Sequence, residues 1–170
     1  MKINLSGKSF SKGFTLIELL IVITIIAALA VTVFVALNPA QRLLDARNAR
    51  RTTDVQSILT AIHEFIVDNK GTYPTGLSSA GTAETQLGTD VAGVCSPVTT
   101  GGCNVAAATA CLNLGGDLAK YLRSMPIDAT GAPTWDSTKT GYSVTADTNG
   151  LITVRACGKE GTGPDIEASR

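Results

Sequence analysis

The residues best suited to chemistry lie near the start of the chain, where Glu18 is the one carboxylate in an apolar run from Phe14 to Leu37. An ionised carboxylate in a membrane-length apolar segment is costly and points by default to a function. A cut after Gly13 would turn the Phe14 nitrogen into a cation about one helical turn from that carboxylate. If such a cut occurs, the spacing predicts that the new amine pairs with a carboxylate, either within one chain or between neighbouring chains.

A helix would position that carboxylate, because residues 14–37 are apolar apart from it and three threonines. Such a helix is about 36 Å long, at roughly 1.5 Å per residue, which is enough to cross a bilayer. In a secretory signal peptide the small-residue cleavage site follows the apolar region, whereas here Gly13 precedes it. Cleavage would therefore remove a basic leader, residues 1–13, and leave the helix in place. A membrane anchor that tolerates Glu18 near its end is the competing interpretation.

The sequence Lys-Gly-Phe-Thr-Leu-Ile-Glu-Leu-Leu at residues 12–20 resembles the class III leader junction of type IV prepilins and type II secretion pseudopilins. The resemblance implies that a prepilin peptidase cuts after Gly13 and methylates the new N-terminal Phe14, and that Glu18 is the assembly carboxylate. It also implies five kinds of partner: further copies of the chain, the peptidase, an assembly ATPase, an inner-membrane platform protein and, before assembly, membrane lipid.

The resemblance further implies a single-pass precursor in the cytoplasmic membrane, with its N-terminus in the cytoplasm, that is later assembled into an extracellular filament. The predicted function is that of a type IV pilin in a surface filament used for adhesion, twitching motility or DNA uptake. A pseudopilin of a type II secretion system is one alternative. A membrane-anchored binding domain that never polymerises is another.

The charge balance argues against a general nucleic-acid partner. The chain has 14 basic and 14 acidic residues, and loss of the lysine-bearing leader would leave a mildly acidic protein. An arginine cluster just beyond the apolar run is open to three interpretations: contact with acidic residues of a neighbouring copy, binding of anionic lipid headgroups, or a solvated helix face. Because this cluster nearly balances the leader lysines, the positive-inside rule gives little preference for orientation. Its members are Arg42, Arg47, Arg50 and Arg51.

The helix is expected to continue past the membrane as an amphipathic segment, residues 38–71. Apolar residues recur at steps of three and four from Val55 onward, which predicts one face packed on a globular domain. Pro39 removes a backbone hydrogen bond, so we predict a kink or local melting between residues 32 and 39. The run from Asp68 predicts a helix end with a left-handed cap at Gly71.

Residues 72–170 are predicted to form a small extracytoplasmic head. Residues 72–110 are rich in Gly, Thr, Ser and Ala, which is typical of an outer loop, and the leucines of residues 112–122 indicate a short helix. Two apolar runs at residues 141–146 and 151–157 flank an Asn-Gly turn, which predicts a β-hairpin that packs on the long helix. The expected fold class is α+β, one long N-terminal helix against a small antiparallel sheet.

Four cysteines, an even number, predict a disulfide-bonded head in an oxidising compartment. Three pairings are possible, and we favour Cys95 with Cys103 and Cys111 with Cys157, since the second bond would enclose the hairpin. A zinc site is disfavoured because no C-x-x-C pair is present. The external placement of the head depends on these cysteines and on the resemblance.

Enzymatic activity is not predicted. The one histidine, His63, lies in the amphipathic helix without a recognisable nucleophile motif nearby. No cofactor is expected, although calcium is considered because four aspartates occur in Gly- and Thr-rich segments. Their spacing matches no known calcium loop. These aspartates are Asp128, Asp136, Asp147 and Asp165.

Overall fold

A computed structural model describes residues 13–89, 95, 97–106, 111–128 and 135–170 of the chain. Its regular elements within those ranges are two helices and an antiparallel four-stranded sheet, so the predicted α+β architecture is confirmed. The chain divides into two compact units, residues 1–42 and residues 43–170. The elements are α1 (Leu16–Leu37), α2 (Pro39–Asp68), β1 (Thr82–Gln86), β2 (Tyr142–Ala146), β3 (Ile152–Ala156) and β4 (Glu167–Ser169).

The first unit consists mainly of α1, none of whose residues is buried. The helix ends at Leu37, and Asn38 adopts a left-handed conformation with φ of 39°. Pro39 is the first residue of α2, where the hydrogen bond that proline cannot donate is not needed. Residues 32–37 are helical, so their melting on assembly stays a prediction.

In the second unit, α2 packs its apolar face against the sheet. Val55, Ile58 and Ile62 are almost fully buried and belong to one core with the inward side chains of the central strands. The predicted packing of the hairpin on the helix is confirmed, because four residues of β2 and β3 lie in this core. They are Tyr142, Val144, Ile152 and Val154.

The predicted hairpin is also confirmed, with β2 and β3 in continuous antiparallel register. Its turn is closed by the Asp147 carboxylate, which accepts 2.8 Å hydrogen bonds from the amides of Asn149 and Leu151. Gly150 completes the turn with φ of 83°, a conformation that favours glycine. Burial and this side-chain hydrogen bonding together fix the register.

The sheet is larger than predicted, because β1 and β4 flank the hairpin in the order β1-β2-β3-β4. β1 lies within residues 72–110, which were predicted to be an outer loop, so that prediction is wrong. Leu87, Val98 and Val105 of the same segment are buried. The sequence of β1, Thr-Ala-Glu-Thr-Gln, has few apolar residues. It forms a strand because its backbone hydrogen-bonds to β2.

The short helix predicted at residues 112–122 is also wrong, because the segment forms successive turns. Leu114 and Leu118 are buried as expected, and the Leu118 amide donates to the Leu114 carbonyl over 2.9 Å. The two glycines at residues 115 and 116 disfavour continuation of a helix from that bond.

The predicted disulfide pairing is wrong, although all four cysteines are disulfide-bonded. Cys95 joins Cys111, and Cys103 joins Cys157. The parallel bridge between Leu87 and Leu112 brings residue 111 beside the end of β1, where the Cys95 sulfur also lies, 3.6 Å from the Gln86 side chain.

The second bond forms because residues 97–105 lie over the end of β3. The Thr100 hydroxyl donates a 2.8 Å hydrogen bond to the Cys157 carbonyl. A Cβ at Gly101 would lie 2.7 Å from the carbonyl oxygens of Ala156 and Cys157, so only glycine fits this approach. Loop length alone could not reveal this placement.

The end of α2 differs by one residue from the prediction. Gly71 donates to the Ile66 carbonyl and Lys70 donates to the Val67 carbonyl, which is the pattern of a Schellman motif. The left-handed cap position in this pattern is therefore Lys70, with φ of 56°, and Gly71 follows it with φ of 89°.

Candidate functional site

The predicted cleavage junction lies on an accessible, non-helical segment just before α1. Phe14 is 89% exposed, and a Cβ at Gly13 would meet no atom within 4 Å. Residues 13–15 have no helical hydrogen-bonding pattern, and Thr15 has extended backbone angles. A peptidase could therefore reach the bond between Gly13 and Phe14 without unwinding α1.

Glu18 and Thr15 form a reciprocal cap at the start of α1. The Glu18 carboxylate accepts hydrogen bonds of 2.8 Å from both the amide and the hydroxyl of Thr15. In return the Thr15 hydroxyl accepts a 3.2 Å hydrogen bond from the Glu18 amide. This capping box satisfies two otherwise unpaired amides and places a negative charge at the positive end of the helix dipole.

Sequence reasoning missed Thr15, although its signal is present as Thr-Leu-Ile-Glu, the spacing of a capping box. The cap gives Glu18 partners within its own chain. Cleavage after Gly13 would leave the Thr15 amide intact, so the cap does not exclude the predicted pairing of this carboxylate with the Phe14 amine. That pairing is not tested by an uncut single chain and stays a prediction.

The surface of α1 is suited to lipid or to other apolar helices. Its large side chains are exposed along the whole length of the helix, and the helical stretch from Leu16 is long and apolar enough to cross a membrane. The Thr24 and Thr32 hydroxyls each donate 2.8 Å hydrogen bonds to carbonyls of the preceding turn. Among the described residues of α1, Glu18 is thus the only charged group.

A shallow apolar groove of about 460 Å³ lies on the second half of α1. Its walls include Phe34 and Leu37, and small Ala30 lies between larger side chains. An exposed apolar surface of this extent is typical of a membrane or protein contact. The groove can accept side chains of another apolar helix by ordinary ridge-into-groove packing.

The arginine cluster at the start of α2 is divided between internal and outward roles. Arg51 is buried, and its guanidinium donates to both Asp128 oxygens over 2.8 and 2.9 Å. It also donates to Glu160 over 3.0 Å, and Arg47 pairs with the same carboxylate over 3.1 Å. Burial alone would lower the pKa of Arg51, but these hydrogen bonds outweigh it and raise the pKa. Two of the four arginines thus hold the second unit together.

The aspartates considered for calcium are engaged by protein groups. Asp128 holds Arg51, and Asp165 lies 3.4 Å from the Lys159 ammonium. Hydrogen bonds from Thr138 lower the pKa of Asp136, and the Leu151 amide lowers that of Asp147. In the described part of the chain, no three His, Cys, Asp or Glu side chains are grouped as metal ligands would be. Calcium binding remains an untested prediction.

His63 lies beside a surface depression of about 570 Å³ that also contacts Glu64, Tyr121 and Arg170. Its Nε2 atom is enclosed and has no hydrogen-bond partner among the described residues. Burial, followed by the charge of Arg170, lowers the pKa of this histidine. The four cysteines are all disulfide-bonded and cannot serve as nucleophiles. The arrangement provides no recognisable nucleophile and base.

Comparison with protein-family models identifies residues 8–34 as the prokaryotic N-terminal methylation motif, the class III prepilin leader of type IV pilins and pseudopilins. The match includes Gly13, Phe14 and Glu18, and it does not reach α2 or the sheet. It implies processing by prepilin peptidase and is consistent with a membrane-anchored precursor that is assembled into a pilus. Neither the curated proteins nor the solved structures gave a match to the chain.

Proposed function

We propose that this chain is a type IV pilin, a structural subunit that is cut after Gly13, methylated at Phe14 and polymerised into a cell-surface filament. The observation that carries the proposal is the isolated carboxylate of Glu18, at the start of an otherwise apolar and fully exposed helix. The methylation motif matched at residues 8–34 supports the proposed cut between Gly13 and Phe14, one helical turn before that carboxylate.

The proposed precursor has four parts: a leader at 1–13, a membrane and assembly helix at 14–37, an amphipathic helix at 38–71 and a head at 72–170. It spans the cytoplasmic membrane once, with its N-terminus in the cytoplasm. The two disulfides favour an oxidising environment for the head. Prepilin peptidase removes the leader, and an assembly ATPase and a platform protein extract the mature subunit.

Assembly exchanges lipid around α1 for the α1 helices of other subunits. Lipid is as apolar as these side chains, so close packing and polar pairing provide the driving force. An unpaired carboxylate inside such a bundle would be strongly unfavourable. The amine of Phe14 in a neighbouring subunit supplies the counter-charge, and the Thr15 cap holds the carboxylate at the helix start until then.

The direct test uses the native cells. Material sheared from their surface is imaged by negative-stain electron microscopy, and the subunit N-terminus is determined by mass spectrometry. Fibres built mainly of this chain, beginning at methylated Phe14, are the expected result. Processed subunits without surface fibres would favour a pseudopilin instead. An uncut chain that stays monomeric in the membrane would refute the proposal.

The role of the carboxylate is tested by Glu18→Ala. We expect normal leader removal and membrane insertion but little or no filament, because the amine of the neighbouring subunit loses its partner. Thr24→Ala is the matched control, since it removes another polar group from the same helix and should leave the filament yield unchanged. A normal yield from Glu18→Ala would contradict the proposed assembly.

A further inference from the structure

The face of α2 opposite the core has unlike charges at its two ends. Arg50 and Glu64 are both exposed, and they lie on one stripe because residues 50, 53, 57, 60 and 64 follow steps of three and four. Between the two charges the stripe carries only hydroxyl side chains. These are Thr53, Ser57 and Thr60.

Both charges are available to a partner. Arg50 is 61% exposed, and its contact with Asp54 is a long 3.7 Å. The Asp54 carboxylate also accepts a 2.7 Å hydrogen bond from the Tyr142 hydroxyl. Among the described residues, no ion pair within 4.0 Å involves Glu64. The stripe therefore has an outward cation and an outward anion without strong internal partners.

The shape of this face suits another helix. Two depressions of about 570 and 350 Å³ lie along it, and both are lined by Thr60, Glu64 and Tyr121. The short hydroxyl side chains between the charges allow a second backbone to approach closely. Side chains of a facing helix can enter the depressions, as in ridge-into-groove packing.

We propose that this stripe packs against α2 of a second copy of the chain, parallel to it and offset by about 14 residues, so that Arg50 of one copy pairs with Glu64 of the next. The inference rests on the proposed function, since subunits of a filament point the same way. Without an offset Arg50 would face Arg50, so charge complementarity requires a displacement of about 21 Å. Such a contact is heterologous and repeats without closing.

Disulfide cross-linking of sheared filaments tests the offset directly. The four native cysteines are all paired, so introduced thiols can react with each other. Arg50→Cys combined with Glu64→Cys should give a ladder of covalent multimers, and either change alone should not. Gln56→Cys combined with Glu64→Cys is the control, because Gln56 is exposed but lies off the stripe. Dimers from Ser57→Cys alone would indicate that the two helices pack antiparallel. Dimers from Arg50→Cys alone would indicate a parallel contact without an offset. Either result overturns the proposal.

Charge reversal separates this contact from the proposed function. Arg50→Glu and Glu64→Arg should each lower the filament yield several-fold, and the double variant should restore most of it. If the parent chain forms filaments while the reversals have no effect and the 50–64 ladder is absent, the contact is wrong and the pilin proposal stands. If the parent chain forms no filaments, both are refuted.

Discussion

The buried ion pair between Arg51 and Asp128 should be the most sensitive polar contact of the second unit. The two side chains are only 2% and 1% exposed and share two hydrogen bonds of 2.8 and 2.9 Å. Removing one partner of a buried pair typically costs about 3–5 kcal/mol, because the remaining charge lacks both water and a counter-ion. Glu160 still neutralises part of Arg51, so for Asp128→Ala we expect a loss of about 3 kcal/mol.

The assay is urea unfolding of the full chain in detergent micelles, followed by fluorescence of the one tryptophan, Trp135. That residue reports on the site, because a Cβ at Gly141 would lie within 2.9 Å of both Asp128 and the Trp135 ring. With a slope of about 2 kcal/mol per molar urea, a loss of about 3 kcal/mol lowers the midpoint by about 1.5 M. Lys120→Ala removes an exposed ion pair to Asp68 and should leave the midpoint unchanged.

A second variant separates loss of the charge pair from loss of packing. The double change Arg51→Met and Asp128→Leu replaces both charges with apolar side chains of similar size, and it should recover much of the lost stability. A midpoint for Asp128→Ala within error of that for Lys120→Ala would refute the reasoning. A double variant less stable than Asp128→Ala would also refute the reasoning. The loss in Asp128→Ala would then not come from a buried charge left without its partner.

Three further predictions concern the second unit. Replacing both Cys103 and Cys157 by alanine should lower the unfolding free energy by about 4 kcal/mol, because this disulfide closes a loop of 54 residues. Removing the other disulfide, which closes a loop of 16 residues, should lower it by about 3 kcal/mol. Equal losses in non-reducing urea titrations would contradict the loop-entropy argument. Lys70→Gly should raise the unfolding free energy by about 1 kcal/mol, because its left-handed conformation disfavours a side chain; no gain would show that this cap is unstrained. Hydrogen bonds lower the pKa of Asp147 in the folded chain, so its carboxylate should stabilise the hairpin fully at any pH above the ordinary aspartate pKa. This stabilisation should be lost as the pH falls through the lowered pKa of the folded state. The stability difference between the parent chain and Asp147→Ala should therefore shrink in acid, and a difference that does not depend on pH would refute this.

The parts of the fold that could be predicted are those whose signals are local in sequence. The Asn-Gly turn between two apolar runs predicted the central hairpin, and the recurrence of apolar residues from Val55 predicted the buried face of α2. The methylation motif at residues 8–34 was equally clear, because an apolar run directly follows a basic leader. In each case neighbouring residues alone carry the physical cause.

The parts that were missed depend on contacts between distant residues. β1 is polar and becomes a strand only by hydrogen bonding to β2, about 60 residues further along the chain. Arg51 was grouped with its neighbouring arginines, and only its approach to Asp128 reveals that it is buried. Thr15 is different, since its capping-box spacing was present in the sequence and was overlooked.

The two disulfides interlace along the chain, and this constrains the order of folding and oxidation. The pairs 95–111 and 103–157 cross, so each cysteine skips at least one other cysteine before reaching its partner. Thiols oxidised in the order in which they emerge would join Cys95 to Cys103, the nearest available partner. That product must be reshuffled by thiol–disulfide exchange before the head can close. Correct oxidation therefore depends either on the sheet gathering these segments before the thiols react, or on an isomerase that exchanges the wrong pair for the native ones.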